Sequence, residues 1–332
     1  MLHNVFRKVY WYTPLLLLLG GALLWLDAFV SPEKTLSVLA PTNAPLFTLI
    51  KPLILDHPLA GVMIAFLVLM VQVVLINHIA SSNGLTDRYS ALTGLLYLLL
   101  MCSTPGMIAP HPLLFANLFL LLALNKILKE YQEHEGMAET FNSGMLIAIA
   151  GLFYLPALLF FLLLIFSMVL YFRLNMRSIV ASLLGFATPF FFLGLYYFMA
   201  DMLHEQLHRF TITFRPWLIF KHSPDINVKA SILGFVAFSL LSIARLIIAY
   251  MPDKLIRLRR RVRVLLLLFF VSALSYLFVI EYIHLHHALL AIPLSISLAI
   301  FFDDLKKGWL SELVFGILLL FILAGRFAGY WL

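Results

Sequence analysis

Long apolar runs recur along this chain, and that recurrence limits the folds open to it more than any other feature. A membrane-spanning helix needs about 20 predominantly apolar residues, because the hydrocarbon core is about 30 Å thick and each helical residue rises about 1.5 Å. Runs of that kind stand at roughly 10–30, 58–79, 89–108, 112–129, 178–200, 230–250, 264–282, 287–302 and 309–331. Between them no stretch is long enough for a soluble domain; the longest connections are 31–57 and 201–229. Composition points the same way. Hydrophobic residues make up 63% of the chain and charged residues 12%, against about 25% charged in soluble domains. A soluble fold of this size could not hide so much apolar surface, so lipid is the natural solvent for most of these side chains. The expectation is an all-α, polytopic transmembrane bundle forming one integral membrane domain over 1–332.

The stretch 143–172 decides the number of crossings. It reads either as one long span or as a tight pair hinged near Tyr154, Leu155 and Pro156, where a proline would interrupt the helix. Basic residues in short loops resist translocation and mark the cytoplasmic side. With a hinge there and the N-terminus inside, 15 of the 23 Lys and Arg fall on the cytoplasmic side, 6 outside and 2, Arg245 and Arg326, within spans. With a single span the inside keeps 9 and the outside receives 12, including the cluster RLRRRVR at 257–263. The hinged reading is preferred. It gives eleven spans, N-terminus in and C-terminus out. Arg7 and Lys8 ahead of the first run resemble the start of a signal peptide. The run is long enough to span, however, and Asp27 stands where cleavage needs small residues, so a retained first span is expected.

The formal net charge is +7. Because the cations sit in short connections between apolar runs, they read as topology determinants facing anionic membrane lipid, not as a nucleic-acid surface. The lone cysteine, Cys102, permits no intrachain disulfide and no cysteine metal site. In the derived topology the outer face collects the carboxylates and histidines. Asp27, Glu33 and Asp56 flank the first long connection. The string His204-Glu205-Gln206-Leu207-His208 matches H-E-x-x-H, whose two imidazoles share one helical face and could hold zinc with the glutamate as base. Arg209, directly after it, places a positive charge beside such a metal. A polar stub continuing a span produces the same string without function. Glu281, His284 and His287 have the same two readings. Arg245 and Arg326 can snorkel to the interface; Arg326 could also hold a lipid phosphate. Asn117 and Asn125 fit helix–helix contacts.

Three features resemble the superfamily of polytopic glycosyltransferases that use polyprenyl-phosphate sugars (GT-C). A first span leads into a sizeable outer connection bearing Asp27, Glu33 and Asp56. The run HPLLFANLFLLLALNKILK carries a polar residue, Asn117, near its outer end. The late run HALLAIPLSISLAIFF contains Pro293. At whole-chain level the sequence is also similar to an uncharacterised family of Bacteroidota inner-membrane proteins. The resemblance implies a bacterial inner-membrane protein of envelope glycoconjugate assembly, active or degenerate. An outer carboxylate (Asp27, Glu33 or Asp56) would serve as base, Arg326 would bind the lipid phosphate, and a polyprenyl-phosphate-linked sugar would be the partner. Two further readings stay open: a non-enzymatic subunit or scaffold working with other envelope proteins, and a membrane metalloprotease using His204, Glu205 and His208. The residues leave the substrate and any cofactor unknown.

Overall fold

A computed structural model describes residues 12–36, 44–88, 90–130, 137–172, 174–205, 226–252, 254–278, 285–304 and 308–327. They form helices and connecting turns, with no strand among them. In chain order the helices are α1 (Thr13–Leu24), α2 (Leu26–Val30), α3 (Pro32–Leu36), α4 (Pro45–Asp56), α5 (Pro58–Ser82), α6 (Leu92–Met101) and α7 (Pro112–Glu130). There follow α8 (Met137–Phe153), α9 (Phe160–Leu170), α10 (Met176–Met199), α11 (Ile226–Arg245), α12 (Ile256–Ser275), α13 (Ala288–Asp304) and α14 (Gly308–Phe327). Proline opens α3, α4, α5 and α7, where its missing N–H costs nothing and its fixed φ suits a first turn. Among the described residues, Pro58–Ser82, Pro112–Lys129, Met176–Met199, Ile256–Phe278 and Trp309–Arg326 are long and apolar enough to cross a membrane, and several shorter helices are equally apolar.

Helix α13 lies at the centre. Every residue from Ala288 to Phe302 is buried, as expected of a helix that is apolar on all sides. Helices α6, α7, α11 and α12 pack around it. Polar seams set the register. Asn117 Nδ2 on α7 donates to Ala288 O at 3.1 Å, which is the helix–helix role its position suggested. Ser297 Oγ on α13 donates to Ser242 Oγ on α11 at 3.0 Å. Gln72 on α5 donates to Leu114 O at 2.6 Å and accepts from Tyr97 OH at 2.7 Å, clamping α5, α6 and α7 together. In an apolar interior each such group must find a partner, so these pairs specify which helix faces meet.

The helix does break in the 143–172 stretch. Helix α8 ends at Phe153, a 3-10 turn spans Leu155–Leu159, and α9 starts at Phe160. Side-chain contacts sort the helix ends into two groups. One group joins Asp27 to Arg326 and Tyr154 to His286. The other joins Arg245 to Asp304, Tyr250 to Leu85, and Arg261 Nη1 to Asn83 O. The connection 31–57, expected as a loop, is instead partly helical. Phe47 and Ile54 of α4 are buried, and Phe47, Phe115 and Phe153 form a ring ladder with centroids 6.1 and 5.6 Å apart. Sequence patterning missed α4 because only one narrow stripe of a 12-residue helix is buried.

Helix α10 is attached through a seam of small residues. Its buried positions are Ser178, Ser182 and Gly185. A Cβ on Gly185 would collide with Phe141 O, and one on Gly144 of α8 would collide with Ser182 O. Two backbones can approach this closely only where side chains are absent, a packing mode suited to helices in lipid. Gly194, on the same helix, has open space around it. The substitution Gly185→Leu should therefore lower the thermal stability of the detergent-solubilised protein, with an overpacking cost of about 1–3 kcal/mol or more. Gly194→Leu should leave the melting temperature unchanged. Equal melting temperatures for the two variants would refute the seam.

Candidate functional site

The buried indole of Trp25 separates α1 from α2 and packs on Phe66 with centroids 5.8 Å apart. Two residues further on, at the start of α2, Asp27 meets the last turn of α14. Asp27 Oδ2 lies 3.1 Å from Arg326 Nη2, joining residues 299 positions apart. The guanidinium side chain is only 8% exposed, whereas the carboxylate side chain is 56% exposed. The arginine also sits at the C-terminal end of its helix, where the macrodipole favours a cation. Neither it nor Arg245 simply reaches outward into the interface: Arg245 Nη2 pairs with Asp304 Oδ2 at 2.9 Å. Snorkelling is replaced by carboxylate pairing because a partner lies within reach.

The Asp27–Arg326 pair borders a pocket of about 200 Å³. Ser31, Lys34 and Thr35 of the α2–α3 segment form one wall, and the turn Pro105–Ile108 beyond α6 forms another. Ser31 Oγ donates to Asp27 O at 2.9 Å and Thr35 Oγ1 to Ser31 O at 3.1 Å, which leaves the hydroxyl oxygens as acceptors on the wall. Two cations, one carboxylate and two hydroxyls thus converge on a space below the ~300–1,000 Å³ of drug-sized sites. Of the singled-out carboxylates among the described residues, Asp27 alone lines this pocket. Glu33 and Asp56 are exposed and not among its lining residues. Lys34 was missed as a site residue because in sequence it is one more interfacial cation.

A second polar centre is buried near the same end. His286 Nδ1 lies 2.7 Å from Tyr154 OH, and His286 Nε2 lies 2.8 Å from Ser275 Oγ. Ser275 Oγ already donates to Ser272 O at 2.7 Å, so the imidazole must donate through Nε2 and accept through Nδ1 from the tyrosine. The serine proton therefore points at a backbone carbonyl and away from the histidine. This is the hydrogen bonding of a structural lock between the α8–α9 break and the α12–α13 connection, not of an activated nucleophile. Burial, and secondarily the neighbouring His287, pushes the His286 pKa down to about 3.

Only the first two residues of the H-E-x-x-H string are among the described ones. His204 and Glu205 are exposed on a short helical turn past α10, while His208 lies outside the described residues, as do Glu281 and His284. Among the described residues no group of three His, Cys, Asp or Glu side chains is placed to hold a metal ion.

The apolar helices mark a multi-helix membrane protein. The chain belongs to DUF6427, a family of unknown function whose model matches residues 33–329. No curated protein and no solved structure matches it.

Two outcomes follow from the Tyr154–His286–Ser275 lock. Tyr154→Phe strands the buried Nδ1 acceptor and should cost about 1–3 kcal/mol in thermal or denaturant unfolding. The unfolded imidazole titrates near 6.5, whereas the folded one resists protonation down to about 3. The unfolded state therefore binds the extra proton in that window, and stability should fall as pH is lowered from about 6.5. Melting curves between pH 7 and 4 should show a smaller decline in His286→Gln than in the parent; identical slopes would exclude this role.

Proposed function

We propose that this chain is a multi-pass protein of a bacterial cytoplasmic membrane that engages a phosphate-bearing lipid during assembly of envelope glycoconjugates, as GT-C-like transferases do. The single observation carrying the proposal is the convergence of Asp27, Arg326 and Lys34 on one pocket at the end of the bundle. Arg326 and Lys34 supply the charge that a lipid phosphate requires. Asp27, held at its rim, is the carboxylate suited to take a proton from an acceptor hydroxyl. In this reading the chain crosses eleven times, with its N-terminus in the cytoplasm and the pocket outside. The alternation of helix ends between the Asp27 group and the Asp304 group supports that path, as does the cation bias of the connections. A polyprenyl-phosphate-linked sugar is the proposed partner.

Asp27→Asn and Arg326→Gln should each cut incorporation of the lipid-linked sugar, by about 100-fold or more for the base. Protein level should hold and Glu33→Ala should leave incorporation unchanged. Glycan assembly can be followed in cells that carry each variant as their sole copy, with the protein quantified in parallel. Normal assembly with Asp27→Asn at normal protein level would end the transferase reading.

A non-enzymatic subunit is the second reading, with α10 the helix it would offer a partner. Its most apolar stretch is only 17% buried, and Phe191, Phe192, Phe198 and Met199 face outward. Loss of a partner's stability on deletion, without any effect of Asp27→Asn, would support that role.

A further inference from the structure

The first turns of α12 carry five arginines: Arg257, Arg259, Arg260, Arg261 and Arg263. The N-terminal end of a helix bears partial positive charge, so cations there are disfavoured locally. Arg261 has an evident compensation. It is buried and its Nη1 donates to Asn83 O, the carbonyl of the residue capping the C-terminus of α5, where a cation is favoured. Arg257, Arg260 and Arg263 recur every third residue and so lie along one stripe of the helix; Arg257 and Arg263 are exposed.

Beside this stripe lies an apolar corner built at some conformational cost. Phe172, the second residue beyond α9, has φ of +56°. That left-handed conformation is normally left to glycine after a helix. The residue is nevertheless 83% exposed, and the Arg260 guanidinium sits 5.2 Å from its ring centroid. Met176, Leu255 and Ile256 are also exposed. A strained, solvent-facing phenylalanine beneath an arginine does nothing for the packing of the bundle. It suits a boundary where one partner supplies both anionic oxygens and hydrocarbon.

We infer that Arg257, Arg260 and Arg263, with the Phe172 corner, form a binding site for an anionic phospholipid at the end of the bundle opposite the Asp27 pocket. The arginines take the phosphate, and Phe172 and its apolar neighbours take the upper acyl chain. The site is independent of what the Asp27 pocket binds.

The test is thermal unfolding of the purified full-length protein in detergent, titrated with phosphatidylglycerol, cardiolipin or phosphatidylcholine. The two anionic lipids should raise the melting temperature and phosphatidylcholine should not. In the triple variant Arg257→Gln/Arg260→Gln/Arg263→Gln the apparent affinity should fall on the order of 100-fold, at about fivefold per basic residue. Phe172→Gly relieves the backbone strain and should retain the fold while weakening the lipid effect. Together with Arg263→Gln it carries the test if the triple variant does not accumulate. Lys51→Gln, on α4 and away from both sites, should keep the full response. The inference is overturned if phosphatidylcholine or inorganic phosphate stabilises as well as phosphatidylglycerol, or if these arginine and Phe172 variants respond like the parent.

Discussion

The middle of the bundle, formed by α5, α6, α7, α11 and α12, is arranged around a helix with no outer surface. Helix α13 is buried along its length from Ala288 to Phe302, so it can present neither an exposed polar face nor an unpaired end. Its N-terminal turn is held by Asn117 on Ala288 O and by the His286 lock to Tyr154 and Ser275. Its middle is held by Ser297 on Ser242, and its C-terminus by Asp304 on Arg245. Hydrophobic burial alone would let apolar helices slide and rotate, because lipid and Leu are equally apolar solvents. The few polar pairs along α13 therefore decide register, and through it where the ends of α7, α8, α11 and α12 come to rest.

The pocket is built elsewhere, by elements outside α13. Asp27 and Arg326 belong to the two extremes of the chain, and they meet because α1 and α14 both return to the same end of the bundle. Trp25, buried against Phe66, anchors the chain just before Asp27, and the Pro105–Ile108 turn forms the opposite wall. The two ends then differ in chemistry. One offers a small concave site with mixed charge. The other offers a basic stripe beside exposed hydrocarbon.

Much of this layout was legible from patterning. The apolar runs fall on helices, the interruption near Pro156 is a genuine break, and Asn117 makes the interhelical contact expected of it. Helix α4 was not legible, since its apolar stripe is too narrow to separate from an interfacial loop. Snorkelling arginines were expected where ion pairs formed, because pairing depends on carboxylates remote in sequence. Position just past the first span favours Asp27 and Glu33 over Asp56 but does not separate those two; packing puts Asp27 in a pocket and leaves Glu33 and Asp56 on the surface.

The division has a physical origin. Length, hydropathy and the placement of Lys and Arg are local properties, set by bilayer thickness and by the cost of moving charge, so the linear chain by itself determined that this is a helical membrane protein with its cations concentrated in short connections. Which side chains converge is a property of helix packing. Only the tertiary structure could decide that α13 is central, that Gly144 and Gly185 let α8 and α10 touch, and that Asp27 meets Arg326 from 299 residues away.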